Sequence, residues 1–233
     1  MLPFASPLPD AAQTSAHEEA YRHLSHGIRM GLLKPGDRLV ADDIAQSIGM
    51  SRMPVREALR RLTAEGLLVM PPNRGAVVRE LSESEVIEVF EMRAVLEGLA
   101  ASMAASRCTR ADVDDLTDLL STMKRCEGDR SEWITVHRRF HERLCRISAA
   151  PRLMEQISAL HSVVEPLMRI WLENNAPSPL LQKHHEQLLA CLQAGDAERL
   201  ERDIRSHVRG TVDSITQAMR AGRVPRGKAR PRG

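Results

Sequence analysis

The chain has 233 residues and a formal net charge of only +2, so it can form one large or two modest domains but is not a general polyanion-binding protein. Its core must be aliphatic, because aromatic residues make up only 3% of the sequence. We expect a cytoplasmic protein without a membrane anchor, since the sequence contains no apolar run of spanning length and no export signal, and its four cysteines are scattered without a disulfide-type spacing.

The start of the chain predicts a flexible segment followed by a helix. Residues 1–15 are rich in Pro, Ala and Ser, and we expect them to be flexible. Over about residues 17–30, Ala20, Leu24 and Ile28 recur at four-residue spacing, which predicts the first helix.

Residues 42–67 predict two short helices joined by a tight turn. Each helix has apolar residues at helical spacing, Gly49 ends the first helix, and Ser51 is expected to cap the second. The apolar residues are Ile44, Ala45 and Ile48 in the first helix and Val55, Leu59 and Leu62 in the second. This is the spacing of a helix-turn-helix.

The second of these helices has a basic start that suits the DNA major groove. Ser51, Arg52 and Met53 open it, and Arg56 and Arg60 follow. Arg52 and Arg56 are four residues apart and share a face, where an arginine fork can pair with guanine O6 and N7. The alternative is a basic helix that is merely solvated.

Two short apolar runs after the helix predict a β-hairpin. They cover residues 67–70 and 76–79 and flank a turn that contains Pro, Asn and Gly. A hairpin behind a helix-turn-helix is a wing, and Asn73 and Arg74 at its tip could reach a phosphate or the minor groove.

The rest of the chain predicts an antiparallel all-helical bundle. A capping box of Ser82 and Glu85 places a domain boundary near residue 80, and Thr109 with Asp112 forms a second box. No strand pattern follows the boundary. Apolar residues recur at helical spacing in about six segments, at 82–106, 109–126, 130–149, 151–174, 179–194 and 196–220.

The tail from Arg220 to Gly233 is basic and rich in Pro and Gly, which predicts disorder. It could add sequence-independent attraction to DNA, or it could serve only solubility. The predicted organisation is a flexible N-terminus at 1–15, a winged helix-turn-helix domain at 16–80, an all-helical domain at 81–220 and a basic disordered tail at 221–233.

Four histidines of the bundle form a candidate metal site. His137 and His141 are one helical turn apart, and His185 and His207 lie on two later helices. Two imidazoles at this spacing can bind one ion, and two more from facing helices could complete a four-nitrogen set. The alternative is that these are ordinary surface or hydrogen-bonded histidines.

The N-terminal motifs resemble the winged-helix signature of the GntR family of bacterial transcription regulators. They are residues 35–39, 49–62, 65–67 and 73–75. Asp42 departs from the pattern, because many members have an operator-contacting arginine there. With the helix pattern, the resemblance implies DNA contacts by Arg38, Ser51, Arg52, Met53, Arg56, Arg60, Asn73, Arg74 and Gly75.

The bundle resembles the FCD ligand-binding domain of FadR-type GntR regulators. The resemblance rests on residues 92–97, 140–144, 149–153, 185–196 and 205–207. It implies a metal site made by an aspartate, a histidine four residues later and two histidines from later helices. By position, His141, His185 and His207 match the three histidines and His137 stands at the aspartate. We interpret His161 and His184 as ordinary histidines.

The replacement of that aspartate by His137 bears on the metal and the effector. Four neutral nitrogens favour Zn, with Ni, Co or Cu as alternatives, over Mg or Ca. Without the carboxylate the site is more positive and attracts an anion more strongly. Arg93, at the family's arginine, could clamp a small carboxylate effector, or it could form a structural ion pair with a glutamate of the bundle.

These observations predict a metabolite-responsive DNA-binding transcription regulator and not an enzyme. A homodimer would place two reading helices on a palindromic operator in double-stranded DNA, and an organic acid bound in the bundle would release it, with repression as the family's usual mode. A metal-ion sensor is one alternative. A zinc-dependent hydrolase is another, although the sequence has no HExxH motif and four histidine ligands leave little room for an activated water.

Overall fold

A computed structural model describes the backbone of residues 11–71, 75–174 and 179–222, and the side chains of 16–71, 75–172 and 181–222. The chain divides into two compact units, Met1–Arg79 and Glu80–Gly233. Among the described residues the architecture is nine helices and one small sheet, which confirms the prediction of a mainly α protein. The predicted wing-tip residues Asn73 and Arg74, the first ten residues and the tail from residue 223 lie outside the described residues.

The first unit is a winged helix-turn-helix. Its elements are α1 (Ala11–Arg29), β1 (Arg38–Leu39), α2 (Ala41–Ser47), α3 (Arg52–Ala64), β2 (Leu68–Val69) and β3 (Ala76–Val78). The strands form an antiparallel sheet in the order β1-β3-β2, in which Arg38 pairs with Val77 and Leu68 pairs with Val78. The apolar faces of α1, α2 and α3 and the strands share one aliphatic core.

Helix α1 begins earlier than its apolar spacing indicated. It starts at Ala11 rather than at about residue 17, so the predicted start of the helix was wrong by about one and a half turns. Alanine has the highest helix propensity, and neither proline nor glycine interrupts the chain between Ala11 and Ala16. The helix therefore continues beyond the residues that carry its apolar pattern.

Ser51 occupies the N-cap of α3, but its hydroxyl does not make the expected side-chain cap. A capping hydroxyl accepts from the backbone N–H of the second or third helical residue, and the third residue here is Pro54, which has no N–H. Ser51 is exposed, so its hydroxyl faces solvent at the start of α3.

The second unit is the predicted bundle. Its helices are α4 (Glu83–Ala105), α5 (Arg110–Arg125), α6 (Arg130–Arg146), α7 (Pro151–Asn174), α8 (Pro179–Gln193) and α9 (Ala197–Arg220). Both predicted capping boxes are present at the starts of α4 and α5. Asp129 and Asp196 cap α6 and α9 through their side chains.

Helix α4 is central to the bundle and contacts α6, α7, α8 and α9. It packs closely on α9 because Gly98 leaves room for the side chain of Arg205, which would lie 2.8 Å from a Cβ at that position. The core of the unit is mainly aliphatic, with Phe90, Phe140 and Trp133 as its aromatic members. None of the described helices combines the length and the apolar character that a membrane span requires.

Candidate functional site

Helix α3 separates an apolar face from a basic face. Its apolar side chains, Val55, Leu59 and Leu62, lie in the core of the first unit. The predicted reading residues Ser51, Arg52, Met53, Arg56 and Arg60 are all exposed on the other side. The helix therefore presents a hydroxyl, a thioether and three guanidinium groups to a ligand without disturbing its packing.

The exposed arginines of α3 differ in their partners. Arg52 Nε lies 2.9 Å from Asp42 Oδ1, and both side chains are more than half exposed. Arg60 pairs with Glu57 on its own helix. Within the described part of the chain, Arg56 has no carboxylate partner, so it can contact DNA without breaking an ion pair.

Arg61, which is not among the predicted DNA-contacting residues, has a structural role. It is partly buried, donates to Glu18 and Glu65, and stacks on the ring of Tyr21 at 3.6 Å. These contacts tie α3 to α1 and fix the supporting helix behind the basic face.

Arg38 lies at the base of the wing. Gly75 has φ of +73°, a left-handed conformation that favours glycine, and a Cβ there would sit 3.4 Å from the Leu39 carbonyl oxygen. The exposed side chain of Arg38 passes close to Gly75, so β1 and β3 bring these two predicted DNA-contacting residues together.

The structure brings the four predicted histidines together inside the bundle, and we call His137, His141, His185 and His207 the histidine centre. The first two come from α6, the third from α8 and the fourth from α9. Their ring centroids lie 4.6 to 6.2 Å apart. One candidate ligand atom from each residue lies within 4.8 Å of the others.

These rings converge because they occupy core positions on their helices. On α9, His207 lies on the same buried face as the apolar series Leu200, Ile204, Val208 and Val212. His141, His185 and His207 are themselves buried, and His137 is partly buried and stacks on Trp133 at 4.8 Å. Hydrophobic packing of the helices therefore holds the imidazoles in place.

The environment keeps His137, His185 and His207 of the centre uncharged at neutral pH. Burial, and then the neighbouring imidazoles, hold the pKa values of His137 and His207 well below the ordinary value. Burial and then His141 do the same to the pKa of His185. Neutral imidazoles have the lone pairs that bind transition metals.

A buried carboxylate lies behind the centre. Glu97 on α4 is fully buried, and its Oε1 accepts from Arg93 Nε and lies 2.9 Å from His161 Nε2. Its Oε2 lies 3.0 Å from His141 Nδ1. Burial raises the pKa of Glu97, but the charge of Arg93 and the two histidine contacts outweigh burial and hold that pKa well below its usual range.

The donor geometry fits a transition metal. His141 Nε2 and His185 Nε2 lie 3.4 Å apart. Two nitrogens bound to one tetrahedral ion at about 2.1 Å are separated by about 3.4 Å. The Nδ1 atom of His207 is buried and has no hydrogen-bond partner among the described residues, which is costly unless a further group satisfies it.

Two cavities adjoin the centre. A small one of about 30 Å³ is lined by Arg93, His137, His141, His161 and Arg138, among others. A larger one of about 770 Å³ borders His207 and includes Trp133, His184 and Arg199 in its wall. The small cavity has room for little more than one or two water molecules, whereas the large one has the volume of a ligand site.

Arg93 was predicted either to clamp a carboxylate effector or to form a structural ion pair. Its Nε forms the ion pair with Glu97, which is the structural alternative, while the residue also lines the small cavity. Among the described residues, Nε is the guanidinium nitrogen that has a hydrogen-bond partner, so both Nη groups are available to an anion.

Glu97 and the partly buried ion pair of Arg138 and Glu165 were missed. The one available signal was the four-residue spacing of Arg93 and Glu97 on a predicted helix, which indicates an ion pair but not its proximity to a histidine. Arg138 reaches Glu165 on another helix, a contact that local spacing does not indicate.

Two family models match the two units. Residues 16–78 match the family described as bacterial regulatory proteins, gntR family, and residues 88–210 match the FCD domain. Together they cover the helix-turn-helix with its wing and most of the helical bundle.

Similar proteins agree with both matches. The HTH-type transcriptional regulator McbR of Escherichia coli K12 is 33% identical over 179 residues, which are 75% of this chain and 81% of the relative. The HTH-type transcriptional repressor GlaR of the same strain is 29% identical over 211 residues, 86% of this chain and 96% of the relative. The solved structure of E. coli McbR/YncC has a TM-score of 0.77 at 30% identity and covers 88% of this chain and 98% of that chain. The chain therefore belongs to the GntR family of bacterial transcription regulators and is of the FadR type, with a C-terminal FCD domain.

Proposed function

We propose that this regulator is a metabolite-responsive repressor whose bundle binds a divalent transition metal and a small organic acid. The observation that carries the proposal is the convergence of four imidazoles beside cavities, in a chain with an exposed basic helix α3. The relative GlaR is described as a repressor, which supports this direction of regulation.

The DNA-binding part rests on α3 and the wing. Arg52 and Arg56 read base edges in the major groove, with Ser51 and Met53 beside them. Arg38 and Arg60 contact phosphates, and Asn73, Arg74 and Gly75 contribute the wing contacts. Because phosphate contacts release counterions, operator affinity falls steeply as salt concentration rises.

The histidine centre is the proposed metal site, with zinc as the expected ion and Ni, Co or Cu as alternatives. A bound divalent ion would supply a Lewis-acidic positive charge in the bundle. The nearest carboxylate, Glu97, is neutralised by Arg93, so the chain offers little negative charge of its own to balance that cation. The site therefore favours an anionic effector.

The effector is expected to be a small carboxylate. Both Nη groups of Arg93 can donate to it at the small cavity beside His137 and His141, since Arg93 Nε stays on Glu97. The body of the effector would lie toward the larger cavity that borders His207 and Trp133. Effector binding then lowers operator affinity through linkage between the two sites.

We further propose that the regulator acts as a homodimer through α4. This helix exposes Met92, Val95 and Leu99 on one side, each between 41% and 46% accessible, and a palindromic operator requires two copies of the reading helix. A second copy would cover this apolar stripe by an isologous contact. Sedimentation analysis tests this, because Leu99→Glu should produce monomers, whereas an unchanged dimer would place the interface elsewhere.

Elemental analysis and DNA binding test the main proposal. The full chain, purified without chelators, should carry about one transition-metal ion per chain, given that one ion takes about four such ligands.

DNA selected from a random duplex library should contain a palindrome. A panel of organic acids should include one that raises thermal stability and releases this DNA, since a ligand at a hundredfold excess over its Kd stabilises by about 2.7 kcal/mol. A chain that binds no metal and no acid would overturn the effector part.

A metal-ion sensor is the second candidate function. The observation that favours it is that four imidazoles within 4.8 Å can fill a tetrahedral shell by themselves, leaving no position for an acid. In that case the DNA affinity of the metal-depleted chain should follow metal concentration in the absence of any acid. DNA release that requires an acid while the metal stays bound supports the metabolite-responsive repressor.

A further inference from the structure

The carboxylate of Glu97 contacts the histidine centre at one ring only, that of His141, among the described residues. It reaches Nδ1, whereas the other ring nitrogen, Nε2, is the atom that lies 3.4 Å from His185 Nε2. The two nitrogens of His141 therefore have different neighbours. One faces a buried acid and the other faces the remainder of the centre.

The contacts of Glu97 determine which nitrogen of His141 carries the proton. An ionised carboxylate only accepts hydrogen bonds, and Arg93, whose Nε donates to Oε1, keeps Glu97 ionised in the interior. His141 must therefore donate from Nδ1, and His161 must donate from Nε2. A neutral His141 that donates from Nδ1 has its lone pair on Nε2.

Resting on the proposed metal site, we infer that Glu97 is a positioning residue, which holds His141 in the Nδ1–H tautomer and so keeps Nε2 as the metal-binding nitrogen. The group acts through His141 and is not itself a ligand. Carboxylates behind ligating histidines orient the ring and raise its basicity, and their loss weakens metal binding by about 10–100-fold.

The substitution Glu97→Gln reverses the tautomer while keeping the shape of the side chain. Two donors, Arg93 Nε and His161 Nε2, meet at Oε1, so the amide oxygen must take that position. The amide nitrogen then takes the position of Oε2 and donates to His141 Nδ1. His141 is left with its proton on Nε2, where it blocks metal binding.

The experiment uses the full chain labelled with nitrogen-15 at histidine. In the metal-free wild type, the ring nitrogen shifts of His141, assigned with His141→Asn, should show a proton on Nδ1. In Glu97→Gln they should show a proton on Nε2, and chelator competition should give zinc affinity about 10–100-fold weaker than in the wild type. A wild-type His141 with its proton on Nε2 overturns the inference, and this measurement needs no folded variant.

Glu165→Gln is the matched control. Glu165 is also a buried carboxylate of the bundle, paired with Arg138 and Arg169, and within the described part of the chain it has no hydrogen bond to a ring of the histidine centre. The Glu165→Gln substitution should lower thermal stability while leaving the His141 tautomer and the zinc affinity unchanged. Equal losses of zinc affinity in both variants would assign Glu97 a merely structural role and overturn the inference. A wild-type chain that binds no transition metal but has the expected tautomer would instead overturn the proposed metal site.

Discussion

The two units carry their polar functional groups in opposite ways. In the first unit, the reading arginines stand on the outside of an aliphatic core, and the Arg52 side chain is 72% exposed. In the second unit, His185 and Glu97 are fully buried, and each contacts other polar side chains of the bundle. An exposed cation can be removed with little effect on stability, whereas a buried polar group is part of the packing around it.

Because of this difference, DNA binding can be changed without changing the fold, whereas ligand binding cannot. A change on the basic face of α3 should alter DNA binding alone. A change in the histidine centre or at Glu97 should alter ligand binding and stability together, because its partners are left unsatisfied in the interior. The following predictions test that contrast, beginning with the largest effect.

Removing a proposed metal ligand should have the largest effect. A four-ligand zinc site contributes about 10–16 kcal/mol, so loss of one ligand in His141→Ala should weaken zinc binding by about 3–4 kcal/mol, or about 10²–10³-fold. Chelator competition measures this. His184→Gln is the control, because His184 directly precedes His185 but is not part of the histidine centre. Equal affinities in the two variants would remove His141 from the site.

On α3, Arg56→Ala should lower operator affinity by about 1–3 kcal/mol and leave stability unchanged. Arg61→Ala, on the same helix, should mainly lower stability, because Arg61 ties α3 to Glu18, Glu65 and Tyr21. Fluorescence anisotropy with the selected duplex and urea unfolding separate the two effects. The contrast between units fails if Arg56→Ala destabilises the chain as much as Arg61→Ala does.

The metal-free bundle should lose stability in mild acid. The pKa values of His137, His185 and His207 are well below the ordinary 6.5, so the unfolded chain takes up these protons first. Above about pH 6.5 these histidines are neutral in both the folded and the unfolded chain, so they do not make stability depend on pH. Below that pH, the free energy of unfolding falls by up to about 1.4 kcal/mol per pH unit for each histidine.

Urea unfolding followed by tryptophan fluorescence measures this slope for the second unit, since both tryptophans, Trp133 and Trp171, belong to it. The buffers contain a chelator. His207→Gln should make the slope shallower by about one proton. Stability that stays constant between pH 7 and pH 5 would contradict the description of these rings as neutral and buried.

The smallest effect is expected at Asp42. Its ion pair with Arg52 is exposed, so Asp42→Asn should raise operator affinity by less than about 1 kcal/mol by releasing the guanidinium. Asp43→Asn is the matched control, because it removes the same charge from the next residue without breaking that pair. Identical affinities in the two variants would show that only net charge matters, and that the Asp42–Arg52 contact does not restrain Arg52.

Much of the fold could be predicted from local pattern. Every helix of the bundle begins and ends within a few residues of its predicted segment, because capping residues such as Ser82 and Thr109 mark the helix starts. Helix α1 was predicted too short, since its first turns have helix propensity but no apolar periodicity. The missing side-chain cap at Ser51 depends on Pro54, which has no N–H to donate.

The candidate site was predictable only in part. The i, i+4 spacing of His137 and His141 identifies one face of one helix, and His185 and His207 were candidates because they lie on later helices of the bundle. The family resemblance then matched His141, His185 and His207 by position. Glu97 was not identifiable, because a carboxylate four residues after an arginine predicts an ion pair on any helix surface. Its contacts with His141 and His161 join residues that are 44 and 64 positions apart in sequence.

Local sequence pattern sets the order of the elements and the basic face of α3, because periodicity, capping and spacing act over a few residues, and it offers four histidines as candidate metal ligands. Which charged groups remain available depends on how the helices pack. This packing pairs Arg52 with Asp42, places Arg61 in a structural contact and puts Glu97 behind His141. These outcomes depend on distances between helices, and the packing of aliphatic side chains throughout each core sets those distances.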